Sequence, residues 1–213
     1  MKEFLFKLDI IAPAVSLLLI LIILLIRKRT LPFSDYILII FFSVELMLNC
    51  VAAVLQSKQL SNLWVYFLNC FVIHMLLSYY FLKILHKKQI VYWGFFLFII
   101  VLFVFVKIQP YNTFPSYLYS ITSFITVIYS LSFLNQIIDT LPTFEILSLK
   151  EFWILTGTLT YFGSTFFIFI TYNYLSDISP KNVYILWQLH NIFLCLGCII
   201  FFKAINCNKW ILK

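Results

Sequence analysis

Six side chains with binding or acid–base chemistry lie inside long apolar segments, where polar groups are rare unless they are paired or functional. They are Glu45, Asn49, His74, Trp187, His190 and Asn191. Helical spacing groups most of them. Asn49 follows Glu45 by four residues, and Trp187, His190 and Asn191 are three and four residues apart, so each group shares one helix face. We predict that the six form a central polar region that binds a ligand or responds to protons.

The strongest single pairing that the sequence predicts is between Glu45 and His74. Both lie near the middle of successive apolar segments. A carboxyl group and an imidazole at equal depth on neighbouring helices can share a proton. The alternative for Glu45 is a packing hydrogen bond to an Asn or Tyr side chain on an adjacent helix. The sequence leaves both interpretations open.

Other polar residues form rows at helical spacing, which indicates faces that avoid lipid. One row occupies the third apolar segment, and hydroxyl stripes occupy the fifth and sixth, the last with two glycines that favour close helix packing. The rows are Asn62, Tyr66, Cys70, His74 and Ser78; then Tyr119, Ser123, Thr126 and Ser130; then Thr156, Thr160 and Ser164 with Gly157 and Gly163.

The elements that must position these residues are membrane spans. The chain has 213 residues, of which 63% are hydrophobic and 11% charged, a balance typical of membrane proteins. About 20 apolar residues cross a bilayer. The sequence therefore predicts an all-α, polytopic bundle of seven transmembrane helices in a single domain, 1–213. The predicted spans are 8–26, 36–55, 63–85, 90–106, 117–138, 152–175 and 183–205.

The basic residues predict an orientation. They cluster at the ends of the apolar segments, so we interpret the net charge of +7 as a topology signal and expect no nucleic-acid partner. Ten Lys and Arg residues fall on one side and five on the other, which places the N-terminus outside and the C-terminus in the cytoplasm of a bacterial inner membrane. Arg27 to Arg29 follow the first segment directly, so we expect it to stay as a span rather than be removed as a signal peptide.

Catalytic and metal motifs are missing from the sequence. It contains no HExxH, no glycine-rich phosphate loop and no histidine pair at four-residue spacing. Cys195 and Cys198 form a CxxC pair in the middle of a span without a second ligand pair, which favours structural thiols. We therefore expect no metal, no cofactor and no catalytic residue.

The last two segments carry a resemblance. FWILTGTLTYFGSTFFIFI from Phe152 to Ile170 and LWQLHNIF from Leu186 to Phe193 resemble short seven-span proteins of Bacteroidota. Glu45, Asn112 and Pro115 fit the same pattern. Similar membrane regions in that group occur alone or in front of histidine kinases. The resemblance implies a sensory or signalling membrane module.

The sequence interpretation is a non-enzymatic sensory or regulatory module of the lipid bilayer. Because the sequence ends at Lys213 without an output domain, we expect it to act through a partner protein or as a homo-oligomer. A small apolar ligand or a proton would bias its helix packing. Two alternatives stay open: a small channel, carrier or membrane-permeabilising protein, and an intramembrane lipid-modifying enzyme that uses Glu45 with His74 or His190.

Overall fold

The computed structural model describes residues 13–22, 33–108, 113–140 and 146–207, and within these ranges the fold is all-α. Short connections join most of the helices. The helices are α1 (Pro13–Ile22), α2 (Phe33–Ser57), α3 (Leu63–Ile84), α4 (Gln89–Ile108), α5 (Ser116–Thr140), α6 (Lys150–Ile170), α7 (Tyr172–Ile178) and α8 (Pro180–Asn206).

Five of these helices are long and apolar enough to cross a membrane, which indicates a multi-pass membrane protein. They are the spanning parts of α2, α3, α5, α6 and α8. The helix is the expected form, because an apolar segment in lipid must satisfy every backbone group internally. Two shorter apolar helices, Pro13–Ile22 and Gln89–Phe105, occupy the first and fourth predicted spans. The count of seven spans stays a prediction.

The helix is interrupted within the sixth predicted span, 152–175. Helix α6 ends at Ile170, and α7 begins as a separate short helix at Tyr172. At the break, the Thr171 hydroxyl donates to the carbonyl oxygens of Phe167 at 3.0 Å and Ile168 at 3.1 Å. The prediction continued past the break because Tyr172, Tyr174 and Leu175 follow it.

Part of the first predicted span and its basic flank lie outside the described residues. These are residues 8–12 and 23–26 of the span and the cluster from Arg27 to Arg29. Asn112, which belongs to the family resemblance, is outside them as well. The orientation inferred from the basic residues stays a prediction.

Helix α6 lies at the centre of the bundle, packed against α5 and α8. Helix α3 packs against α2 and α5, and α4 packs against α5. At one end the side chain of Gln136 on α5 donates to the carbonyl oxygen of Ile84 on α3 at 3.2 Å. Lys203 on α8 lies 5.7 Å from the ring of Trp153 on α6 at the same end. We call this the Lys150 end. The opposite end, where α2 ends at Ser57 and α3 begins at Leu63, is called the cavity end after the cavity described below.

Glycine permits the close approach of α6 and α8. A Cβ atom added to Gly157 would lie 3.1 Å from the Phe201 ring, and one added to Gly197 would lie 3.6 Å from the Gly157 carbonyl oxygen. The predicted partner Gly163 has no atom within 4 Å of such a Cβ in the described part of the chain. Gly163 therefore makes no such close contact with the described residues, and a Cβ atom at Gly197 would be in ordinary van der Waals contact.

The hydroxyl groups of the stripe on α6 are hydrogen bonded within their own helix. Thr156, Thr160 and Ser164 each donate at 2.8 Å to the carbonyl oxygen four residues earlier in their own helix. Hydroxyl groups in lipid can be satisfied in this way without a neighbouring helix. All three are half-buried, whereas Thr158 and Thr165 on the same helix are buried.

Candidate functional site

Glu45 and Asn49 lie one turn apart on α2 and are hydrogen bonded to each other. The Asn49 amide nitrogen donates to the Glu45 backbone carbonyl oxygen at 2.8 Å and to Glu45 Oε2 at 3.2 Å. The Glu45 side chain is only 4% exposed. The local pairing follows directly from the four-residue spacing, which sets the two side chains side by side on a helix.

Asn69 on α3 completes the environment of the Glu45 carboxyl group. Its amide nitrogen donates to Glu45 Oε2 and to the Tyr119 hydroxyl oxygen on α5, both at 3.3 Å. The three helices α2, α3 and α5 are thus joined by one buried polar chain. This is the packing alternative that the sequence left open for Glu45, since its partner is an Asn side chain on an adjacent helix.

Sequence reasoning missed Asn69. It lies next to Cys70 in the chain and so falls outside the polar row at four-residue spacing. The available signal was its residue type: an amide in the middle of an apolar span needs a partner, because lipid supplies none.

His74 is buried on α3 but contacts other groups than Glu45. Its Nε2 lies 3.4 Å from the Ser78 hydroxyl oxygen. Its ring stacks on Phe98 of α4, with ring centres 3.9 Å apart and planes at 17°. Within the described residues Glu45 is hydrogen bonded to two amides and not to His74. The structure therefore does not bring together the two groups that were expected to share a proton.

The polar rows of α3 and α5 face the interior of the bundle, as their spacing predicts. Cys70, His74 and Ser78 are buried on α3, and Thr126 and Ser130 are fully buried on α5. The two faces touch where the Cys70 sulfur lies 3.1 Å from the Thr122 hydroxyl oxygen.

His190 on α8 turns toward α6. Its Nε2 lies 3.5 Å from the Tyr161 hydroxyl oxygen, and its ring centre lies 5.1 Å from that of Phe169. Trp187 meets the His190 ring edge to face at 5.6 Å. The imidazole is thus enclosed by aromatic rings rather than directed at Glu45. Among the described residues no hydrogen bond joins Glu45 to either histidine.

A cavity of about 580 Å³ opens at the cavity end of the bundle, between α1, α2, α3, α7 and α8. Three of the six predicted site residues line it: Asn49, Trp187 and Asn191. Glu45 lies one helical turn before Asn49 on α2 and is not among the lining residues. Gln56 at the end of α2 and Asn62 before α3 place the mouth of the cavity at the ends of those helices.

Amides and aromatic rings dominate the cavity lining. Trp187 is surrounded by rings, with ring centres 5.8 Å from Tyr66 and 5.3 Å from Phe114. Neither Lys, Arg, Asp nor Glu is among the described residues that line the cavity. Such a wall suits a small ligand with flat apolar faces and a few hydrogen-bonding groups, because amides donate and accept while rings supply apolar area. The lining residues are Pro13, Ala14, Asn49, Cys50, Ala52, Ala53, Gln56, Asn62, Leu63, Tyr66, Phe114, Tyr172, Tyr184, Trp187 and Asn191.

Comparison with protein-family models, with curated proteins and with solved structures gives no match for this chain. The resemblance to the short seven-span proteins of Bacteroidota stays a prediction. The described residues contain no cluster of three or more His, Cys, Asp or Glu side chains with the geometry to hold a metal ion. The cavity and the polar chain of Glu45, Asn69 and Tyr119 are therefore the candidate functional site.

Proposed function

We propose that this protein is a sensory or regulatory module of a bacterial inner membrane, whose cavity binds a small, uncharged, partly apolar ligand. One observation carries the proposal: a cavity of about 580 Å³ is lined by Asn49, Trp187 and Asn191, three residues that the sequence pattern selects independently. Ligand sites in proteins are commonly concave and apolar, with a few convergent polar groups.

Helix α8 provides the route by which occupancy of the cavity would reach the other end of the bundle. It carries Trp187 and Asn191 at the cavity and Phe201 near the Lys150 end, where Phe201 packs on Gly157 of α6 and on Phe42 of α2. With 27 residues it is about 40 Å long at 1.5 Å per residue. A ligand that shifts α8 at one end therefore changes helix packing at the other, where a partner protein would detect it.

The orientation in this proposal places the cavity end outside and the Lys150 end in the cytoplasm. The supporting observation is that Lys83, Lys87, Lys88, Lys150 and Lys203 belong to the Lys150 end, at helix termini or connections. Lysine and arginine accumulate on the cytoplasmic side of membrane proteins. The cavity would then sample the periplasm.

Filling the cavity is expected to remove the ligand. Ala53 lines the cavity and is exposed, so Ala53→Trp places an indole in the space without displacing the core. Protein isolated from native membranes in lipid nanodiscs is analysed by native mass spectrometry for retained small molecules. We expect a bound mass on the wild type that Ala53→Trp reduces at least tenfold.

The matched control for this experiment is Ile199→Trp. Ile199 is 65% exposed on α8 and does not line the cavity, so the same indole is added on the outer surface of the bundle. Retention of an identical mass by wild type and both variants would contradict a ligand in this cavity. Flux of a small solute through vesicles that contain the purified protein would favour the carrier or channel instead.

A further inference from the structure

The hydrogen bonding of Glu45 and Asn69 leaves two acceptors without a donor. Both amide donors, from Asn49 and Asn69, reach Oε2 of the carboxyl group. Among the described residues neither Glu45 Oε1 nor Asn69 Oδ1 has a hydrogen-bond partner, and both atoms are sealed from solvent. The side chains are only 4% and 8% exposed. An unsatisfied acceptor buried in this way costs about 1–3 kcal/mol, and more if it is charged.

Among the described residues no positively charged group acts on Glu45 to offset an ionised carboxylate. The described part of α1 has no titratable side chain, and those that face Glu45 from the packed helices are neutral groups that lose a proton only in alkali. They are Cys70 on α3, Tyr119 on α5, Tyr161 on α6 and Cys198 on α8. A carboxylate at this depth would therefore be buried without a counter-ion, which is strongly unfavourable.

We propose that Glu45 is a proton-binding site, with a proton on Oε1 that it donates to Asn69 Oδ1. The Asn69 amide already donates to Glu45 Oε2 at 3.3 Å. The reverse bond makes a cyclic acid–amide pair, in which one proton satisfies both remaining acceptors. The pair holds α2 against α3, and loss of the proton leaves a charge and an unpaired Asn69 oxygen between the two helices.

The neutral acid is favoured whichever of the two Asn69 amide atoms, Oδ1 or Nδ2, faces Glu45. With the amide rotated by half a turn, Oδ1 faces Glu45 Oε2 at 3.3 Å. In that arrangement the proton lies on Oε2 rather than on Oε1 and is donated to Oδ1, because an ionised Oε2 would face the amide oxygen without a proton between them. In either arrangement the neutral acid is the form that the surrounding groups stabilise.

Infrared spectroscopy of the full chain in lipid nanodiscs tests the proposal at neutral pH. The difference spectrum between wild type and Glu45→Gln should show the C=O stretch of one protonated carboxyl group per chain. Glu151→Gln, which alters the second glutamate that is buried among the described residues, should leave that band in place. Asn69→Leu should move the band to the higher frequency of a carboxylic acid that donates a weaker hydrogen bond.

Glu45→Gln also tests the proposal through folding. Glutamine presents an N–H where the acid presents its O–H, so this variant should fold. The folded state holds a proton on Glu45 that the exposed glutamate of the unfolded chain releases. Raising the pH should therefore lower the thermal midpoint of the wild type relative to that of Glu45→Gln, which has no such proton. The proposal is overturned if the difference spectrum shows a carboxylate instead, or if Glu45→Gln does not fold.

Discussion

Gly94→Ala is expected to destabilise the bundle by about 1–3 kcal/mol, the usual cost of overpacking a tight contact. A Cβ atom on Gly94 of α4 would lie 2.7 Å from Tyr129 Cζ and 2.8 Å from Ile125 Cγ2, and closer still to the Tyr129 hydroxyl oxygen. The hydroxyl is not free to move aside, since it donates to the Val91 carbonyl oxygen at 3.0 Å. Thermal unfolding in detergent, followed by exposure of buried cysteine, measures the loss.

Gly163→Ala is the matched control for this substitution. It makes the same change in a helix of the same bundle, at a position where the added Cβ meets no atom of the described residues within 4 Å. It should be neutral or slightly stabilising, because alanine is the better helix former. Gly94→Ala combined with Tyr129→Phe should recover part of the loss. Equal midpoints for the two glycine variants would contradict the close packing of α4 on α5.

Asn69→Leu is expected to cost about 1–3 kcal/mol, the penalty for leaving buried polar partners unsatisfied. The substitution keeps the branched shape of the side chain but removes the donors to Glu45 Oε2 and to the Tyr119 hydroxyl oxygen. Among the described residues it also leaves Asn49 as the one amide donor to the Glu45 carboxyl group. Unfolding of the purified protein in mixed micelles measures the effect.

Asn206→Leu provides the control for the loss of an amide. Asn206 is exposed near the end of α8, and its amide nitrogen donates to the Phe202 carbonyl oxygen of the same helix at 3.1 Å. Its replacement should change stability by less than about 0.5 kcal/mol, as is usual for surface positions. If Asn69→Leu is as mild as Asn206→Leu, the polar chain across α2, α3 and α5 does not hold these helices together.

The membrane helices were predictable because apolar length is a property of the sequence alone. Helix ends were less predictable: the sixth span was extended past the break at Thr171 to Leu175, because Tyr172, Tyr174 and Leu175 follow it. The bond between Glu45 and Asn49 was also predictable, because four-residue spacing defines one face of a helix.

Contacts between helices were harder to predict, because they depend on the rotation of each helix about its axis. Depth in the membrane suggested His74 as a partner for Glu45, but rotation of α3 directs Asn69 toward Glu45 and His74 toward Phe98. Likewise Trp187 lines the cavity while His190, on the same turn, contacts Tyr161. A single sequence records the spacing along each helix and not the rotation of one helix against another.

Reaction of Cys50 with a thiol reagent tests most directly whether the cavity is an aqueous site open to the outside. Cys50 lines the cavity and is exposed, so it is a natural probe. The experiment uses right-side-out membrane vesicles and a charged reagent that does not cross lipid. The protein keeps Cys50 as its one thiol, with the other cysteines replaced by alanine.

Two further single-thiol variants complete the measurement: one keeps Cys207, near the Lys150 end, and one carries Ile199→Cys on the outer surface of α8. We predict that external reagent modifies Cys50, that Ala53→Trp slows this reaction, and that neither control thiol reacts. A thiol in lipid does not form the reactive thiolate, and Cys207 would face the cytoplasm. Cys50 that reacts only after the vesicles are opened, or no faster than the thiol at position 199, would contradict the account.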